Sequence, residues 1–324
     1  MLRRLLFPAF LVVLAAGCPK AADTWKDAKP GQLKVLASFP PLYSWTVNVG
    51  GDDAHVVCLL TGVGPHDYHA NATDALRVRN ADFFVINSLE LDNKIAGDLI
   101  KSAGNKSIKL IETGEMLPDE KLIHLDEDGH DHKHHHKDGH KHDHKHGDHD
   151  PHVWLNPEFA ADIVVKLGAK FGEAKPEKKK EFADRAAAYA KELKGLHEYA
   201  VEQFKGKKNR RIITMHESLG YFAQAYGLEV VGSIQNTPGI EADAAQMTKL
   251  AQKCKEKTVS VIAIEPQYPK NSADTLKNYL QKQGTPVEIV EFDTLETATA
   301  DALKPDFYVT RMKQNIDRLV KALP

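Results

Sequence analysis

Apolar residues along the chain fall into eight short runs: KVLASF, HVVCLL, DFFVIN and KSIKLIE in the first half, RRIITM, LEVVGSI, VSVIAIE and VEIVEF in the second. Each run is apolar at consecutive positions rather than alternating, as in strands covered by helices on both faces. Amphipathic segments separate the runs, and that alternation predicts an α/β fold of two lobes, each a mostly parallel sheet flanked by helices. Between the halves, Asn156 and Pro157 supply an N-cap and a first-turn proline for a helix (PEFAADIVVKLGAKFGEA) ending near Gly172. A second helix begins after Pro176 and runs to about Phe204, with Phe182, Ala186, Tyr189, Leu193, Leu196, Tyr199, Ala200 and Phe204 recurring at helical spacing. At 1.5 Å per residue it spans on the order of 43 Å, enough to pass along both lobes. One rigid helix is a poor hinge, so closure around a ligand should be small. The expected boundaries are an export signal over 1–17, a tether over 18–31, a first lobe over 32–173 with a disordered loop at 126–150, a linker helix over 174–206 and a second lobe over 207–324.

The start of the chain places Arg3 and Arg4 before an apolar run, Leu5 to Ala16, that is too short to span a bilayer. It ends in Leu14-Ala15-Ala16-Gly17-Cys18, similar to a bacterial lipoprotein signal in which Cys18 carries the lipid. The protein is thus expected outside the cytoplasm, in the periplasm or at the cell surface, held to the membrane by a lipid anchor. Of 324 residues, 43 are basic and 45 acidic, and a formal charge of -2 gives no field able to hold a polyanion, so nucleic acid is not expected as a partner. Cys58 and Cys254 lack CxxC spacing and fall in different lobes, so two unpaired thiols are expected.

Histidine is the outlying residue, with 17 copies, and ten of them cluster at His130, His132, His134, His135, His136, His140, His142, His144, His146 and His149. A tract of His, Asp, Lys and Gly builds no core. Its imidazoles suit zinc, copper and nickel, but interchangeable arrangements fix no single geometry, so it reads as a low-affinity metal loop to which His124 also belongs. Four other residues occupy one kind of place. His66 follows HVVCLL, His216 follows RRIITM and Asp293 follows VEIVEF, each at the carboxyl end of a strand, while His152 lies on a short turn before a helix. Three imidazoles and a carboxylate, two from each half, make a tetrahedral zinc set if they converge between the lobes. His55, His69 and His197 lack that context and read as structural or surface residues.

At these residues the sequence resembles the metal-binding substrate-binding proteins of ABC importers, the cluster A-I (class III) family of high-affinity zinc uptake type. GPHDY around His66, the histidine-rich insert, DPHVWLNP around His152, MHESLGYFAQAYGL around His216, TPGIEAD near Pro238, IAIEPQY around Glu265 and EFDTL around Asp293 stand in the family's order. The resemblance implies two lobes joined by a long helix and a metal in the cleft, delivered to an ABC permease and its ATPase; a monomer is expected. It implies Zn2+ as cargo, because imidazole stands at His216 where manganese-favouring members carry a carboxylate. It leaves the fourth ligand open between Asp293, water and an acidic loop residue, and gives Glu265 the role of orienting a ligand histidine.

Other readings remain at this stage: a manganese or iron homologue, a metal-dependent adhesin, a histidine-rich zinc sink and a zinc hydrolase. Against the hydrolase, His216-Glu217 begins like HExxH but Gly220 stands where the second histidine would be. The chain is expected not to be an enzyme. Metal must displace protons from three imidazoles, so affinity should fall below roughly pH 6.

Overall fold

The structure is a computed structural model and describes residues 24–125 and 148–324. The expected export signal, Cys18 and the histidines from His130 to His146 lie outside the described residues. Among the described residues, no helix is long and apolar enough to cross a membrane.

All eight apolar runs form strands: β1 Leu33–Ala37, β2 Ala54–Cys58, β3 Phe83–Ile86, β4 Lys109–Glu112, β5 Arg211–Thr214, β6 Glu229–Ser233, β7 Val261–Ile264 and β8 Glu288–Glu291. They make two four-stranded sheets, ordered β2-β1-β3-β4 and β6-β5-β7-β8, with every neighbouring pair parallel. In each sheet the chain moves outward from its first strand and then crosses back to the other side, and loops leaving diverging strands open a crevice at their carboxyl ends.

The helices are α1 Pro40–Gly50, α2 Ala72–Arg79, α3 Asn93–Ala103, α4 Pro157–Ala174, α5 Lys179–Phe204, α6 Gly220–Tyr226, α7 Ala244–Glu256, α8 Asn271–Lys282 and α9 Phe307–Ala322. At the start of α4 the Asn156 side chain accepts from Glu158 N and Pro157 takes the first position. The 26 residues of α5 span about 39 Å. Its buried face carries Phe182, Ala186, Tyr189, Leu193, Leu196, Ala200 and Phe204, while Tyr199 is only half-buried and pairs with Asp317 on α9. A Cβ at Gly168 would stand 2.7 Å from that of Ala186, so α4 and α5 pack closely at this glycine.

Sequence periodicity did not indicate that α9 turns back onto the first lobe. Trp45 of α1 meets Tyr308 edge-on at 5.5 Å, and Ser44 Oγ and Asn48 Nδ2 both donate to Pro305 O at 2.7 Å. Tyr308 Oη donates to Trp154 O, and Trp154 Nε1 to Thr294 O. One apolar core therefore runs from the first sheet through α4 and α5 to β5, β7 and α9, and a smaller core fills the far side of the second sheet. Two connections besides α5 thus tie the lobes together, which opposes a wide hinge motion.

Two expected boundaries shift. The tether ends earlier than residue 31, because Trp25 is buried edge-on to His55 and its Nε1 donates to Arg77 O at 3.0 Å. An indole of that size gains more from burial than a flexible segment loses by being ordered there. The loop expected over 126–150 also ends earlier: His149 forms an antiparallel bridge with His124, and Asp150 is buried. Cys58 on β2 and Cys254 on α7 are buried free thiols, and burial raises their pKa values to about 12 and about 11.

Candidate metal centre

Four side chains meet in the crevice between the sheets. His66 comes from the loop after β2, His152 begins a 3-10 turn (Val153–Leu155) ahead of α4, and His216 lies two residues past β5. Their Nε2 atoms converge: His152 Nε2 is 3.2 Å from that of His66 and 3.3 Å from that of His216. The edge of a tetrahedron with zinc–nitrogen bonds of 2.0–2.1 Å is about 3.3 Å. The fourth group is Glu296, whose Oε1 stands 4.0 Å from each of the three nitrogens. That is about 0.7 Å longer than a tetrahedral edge, so the carboxylate would have to close in by about that much to complete a tetrahedron around zinc.

Asp293 is placed elsewhere, which revises the expected fourth position. Its Oδ1 accepts from Leu295 N at 2.8 Å, and its backbone is clamped by Asn315, which donates to Asp293 O and accepts from Asp293 N. The bond to Leu295 holds that residue at φ 63°, a left-handed conformation that costs a β-carbon-bearing residue about 1–3 kcal/mol. This turn reverses the chain and aims Glu296, rather than Asp293, at the histidines.

The imidazoles are held from behind. Asp150 Oδ1 accepts from both His152 Nδ1 at 2.7 Å and His152 N at 2.9 Å, and Asn87 Nδ2 ties Pro151 O to the end of β3 at 2.9 Å. Tyr221 Oη donates to Asp150 O and accepts from Ile123 N. Glu265, at the end of β7, has Oε1 2.6 Å from His216 Nδ1, while its Oε2 accepts from Gln267 and Thr294. A carboxylate at Nδ1 fixes the proton there and leaves the Nε2 lone pair facing inward, where a metal takes it. Sequence reasoning assigned Asp150 to the histidine tract; its position two residues before His152 was the signal for its part here.

Burial pushes the Glu296 carboxyl up to about 8, although His216 beside it works the other way. Burial disfavours charge on His216, yet the carboxylates of Glu265 and then Glu296 outweigh it and lift its pKa to about 9. Glu296 Oε1 is buried and accepts no hydrogen bond, an expensive state for a carboxylate oxygen unless a cation meets it. Three nitrogens and this oxygen, backed by the carboxylates of Asp150 and Glu265, are a donor set that could hold a cation such as zinc. His66 is the least buried of the four and borders a groove lined by Asp67, Tyr68, His69, Thr237 and Pro238. His55 and His197 lie away from it, against Trp25 and Tyr226.

The model of a family described as zinc-uptake complex component A, periplasmic, matches residues 35–322. The chain is 30% identical over 319 residues to the zinc-binding lipoprotein AdcA of Streptococcus pneumoniae, a match covering 95% of this chain and 58% of that protein. It thus spans a little over half the length of that relative. It is also 30% identical over 316 residues to the high-affinity zinc uptake system protein ZnuA of Bacillus subtilis, covering 97% of this chain and 94% of the other. Among solved structures, the periplasmic zinc-binding protein TroA of Treponema pallidum superposes with a TM-score of 0.74 at 27% identity, covering 90% of this chain and 99% of that one.

Proposed function

The chain belongs to the periplasmic zinc-uptake component A family, and from that premise we propose that it is the extracytoplasmic binding component of an ABC importer, capturing Zn2+ with His66, His152, His216 and Glu296. The observation that carries this reading is that His152 Nε2 stands at tetrahedral spacing from the Nε2 atoms of both His66 and His216, with a buried carboxylate oxygen that accepts no hydrogen bond 4.0 Å from all three. Asp150 and Glu265 orient His152 and His216 and raise their basicity as ligands. With imidazole at all three nitrogen positions the donor set favours zinc over manganese, whose preference is for oxygen.

A first lobe running from Trp25 to residue 173, a linker helix over 174–206 and a second lobe over 207–324 put the centre between two bodies that α5 and α9 hold nearly rigid. The ion is then enclosed by adjustment of the His66 loop and Glu296 rather than by wide closure of the lobes. Lipid attached at Cys18 keeps the loaded protein close to its partners, an ABC permease and its ATPase, and the protein acts as a monomeric carrier rather than an enzyme. The named zinc-uptake relatives and the family match support this reading over a histidine-rich sink. The test is zinc titration of the mature chain and of His66→Ala, His152→Ala and His216→Ala. One tight zinc in the parent, lost in each variant, is expected; a tight zinc indifferent to all three variants overturns the assignment.

A further inference from the structure

A second set of donors lies outside the cleft, where the chain leaves and rejoins the segment 126–147. His124 and His149 face each other across an antiparallel bridge, closed on one side by Leu125 N donating to Asp148 O at 2.9 Å and on the other by Asp150 N donating to Ile123 O at 2.8 Å. Their rings are 4.4 Å apart, centroid to centroid. Both turn Nε2 toward Asp119 on the 3-10 turn Asp119–Lys121: His149 Nε2 is 3.1 Å from Oδ1 and His124 Nε2 is 3.7 Å from Oδ2. One ligand atom from each of the three residues lies within 4.8 Å of the other two.

We propose that Asp119, His124 and His149 form a second metal site, separate from the cleft, that holds one divalent ion of the zinc, nickel or copper class with water completing its shell. The histidine tract offers many interchangeable donors and no fixed geometry. Here three donors stand on backbone set by a bridge and a helical turn before any ion arrives, so less conformational freedom is lost on binding. Two imidazoles and one carboxylate select against calcium and magnesium, which take oxygen ligands. His149 Nε2 stands 3.1 Å from Asp119 Oδ1, near the tetrahedral edge of about 3.3 Å, and with all three donor atoms within 4.8 Å of one another small side-chain rotations close the set around one ion. Asp119 and His124 are exposed, so this ion exchanges with solvent and binds more weakly than one in the cleft. Asp150, whose carboxylate orients His152, directly follows His149, so an ion here also pins the strand that presents Asp150 to the cleft.

The test uses the full mature chain with the nine histidines from His130 to His146 replaced by Ser, so that the tract itself contributes no imidazole. Calorimetry with zinc should show two classes of one ion each. In that background His124→Ala, His149→Ala and Asp119→Ala should each weaken the second class about tenfold or more, while the tight class and the melting temperature persist. His152→Ala should do the reverse, removing the tight class and sparing the second, so failure at the cleft and failure at the neck give different results. Cobalt(II) at the second equivalent should give d–d absorption bands that His149→Ala removes. A single zinc per chain, or a second zinc indifferent to all three neck substitutions, overturns the proposal.

Discussion

Gly220 begins α6 directly behind the support of His152, and replacing it with alanine probes the cleft without touching a ligand. A Cβ at this position would stand 2.6 Å from Asp150 Oδ2 and 3.1 Å from Ile123 Cδ1. The first distance is shorter than real carbon–oxygen contacts allow, and Asp150 is buried at 5% exposure with no free space to retreat into. Either the carboxylate swings away or α6 shifts outward by several tenths of an ångström. The same carboxylate accepts from His152 Nδ1 at 2.7 Å, so His152 loses its orientation in both cases. Loss of such support to a ligating histidine costs about 10–100-fold in metal affinity, or about 1.4–2.7 kcal/mol. Alanine's higher helix propensity offsets less than about 1 kcal/mol of protein stability and none of the affinity, so the contact decides the sign. Chelator competition measures the zinc affinity of Gly220→Ala against the parent, and Asp150→Asn removes the charge while keeping the shape. Gly195→Ala serves as control: it lies mid-helix on α5 with nothing within 4 Å of the added carbon, and should gain about 0.5–1 kcal/mol of stability with affinity unchanged. Zinc affinity of Gly220→Ala within twofold of the parent, at full stoichiometry, would refute the reasoning.

Further outcomes follow from the site. Glu296→Ala should lower zinc affinity by at least about tenfold. Asp293→Ala should cost about 1–3 kcal/mol of stability, from the lost hydrogen bond to Leu295, with a smaller effect on zinc; the opposite ranking in a titration would return Asp293 to the fourth position. In the metal-free chain His216 binds its proton more tightly than the ordinary value of 6.5, up to about 9, and Glu296 does likewise up to about 8. The folded state therefore holds more protons than the unfolded one, and the stability they contribute is lost as pH rises, from about 4.5 through about 8 for Glu296 and from about 6.5 through about 9 for His216. Scanning calorimetry should show the metal-free melting temperature falling over these windows while the increment given by zinc grows; a constant increment would contradict the displacement of protons by metal. Cys58 and Cys254, both buried with raised pKa values, should resist alkylation at pH 8 in the folded chain and react once it is unfolded, which mass spectrometry resolves.

Much of the fold could be read from local chemistry. Consecutive apolar positions marked all eight strands, and Asn156-Pro157 marked the start of α4, because strand burial and helix capping depend on residues close in sequence. Trp25 and α9 were missed because their burial depends on long-range partners, Arg77 and His55 for the first and Trp45 and Trp154 for the second. In the site, the strand-end rule pointed to His66 and His216, and the regained apolar character after the tract pointed to His152. It stopped at Asp293 because that is the first carboxylate past β8. The left-handed turn at Leu295 that delivers Glu296 has no sequence signal, since leucine is among the residues least expected at positive φ. The fourth position had been left open between Asp293, water and an acidic loop residue, and Glu296 lies three residues beyond Asp293 on that loop.

Metal bound in the cleft, and not merely in the histidine tract, is what the geometry requires. Leu125 N already donates to Asp148 O at 2.9 Å, so residues 126–147 can be replaced by an Asn-Gly turn that closes the neck as a hairpin. Zinc and manganese titrations of that shortened chain, read by calorimetry and elemental analysis, test this most directly. One tight zinc per chain is expected, preferred over manganese and abolished by His152→Ala. No tight zinc in the shortened chain, or a tight zinc that survives His152→Ala, would contradict binding in the cleft.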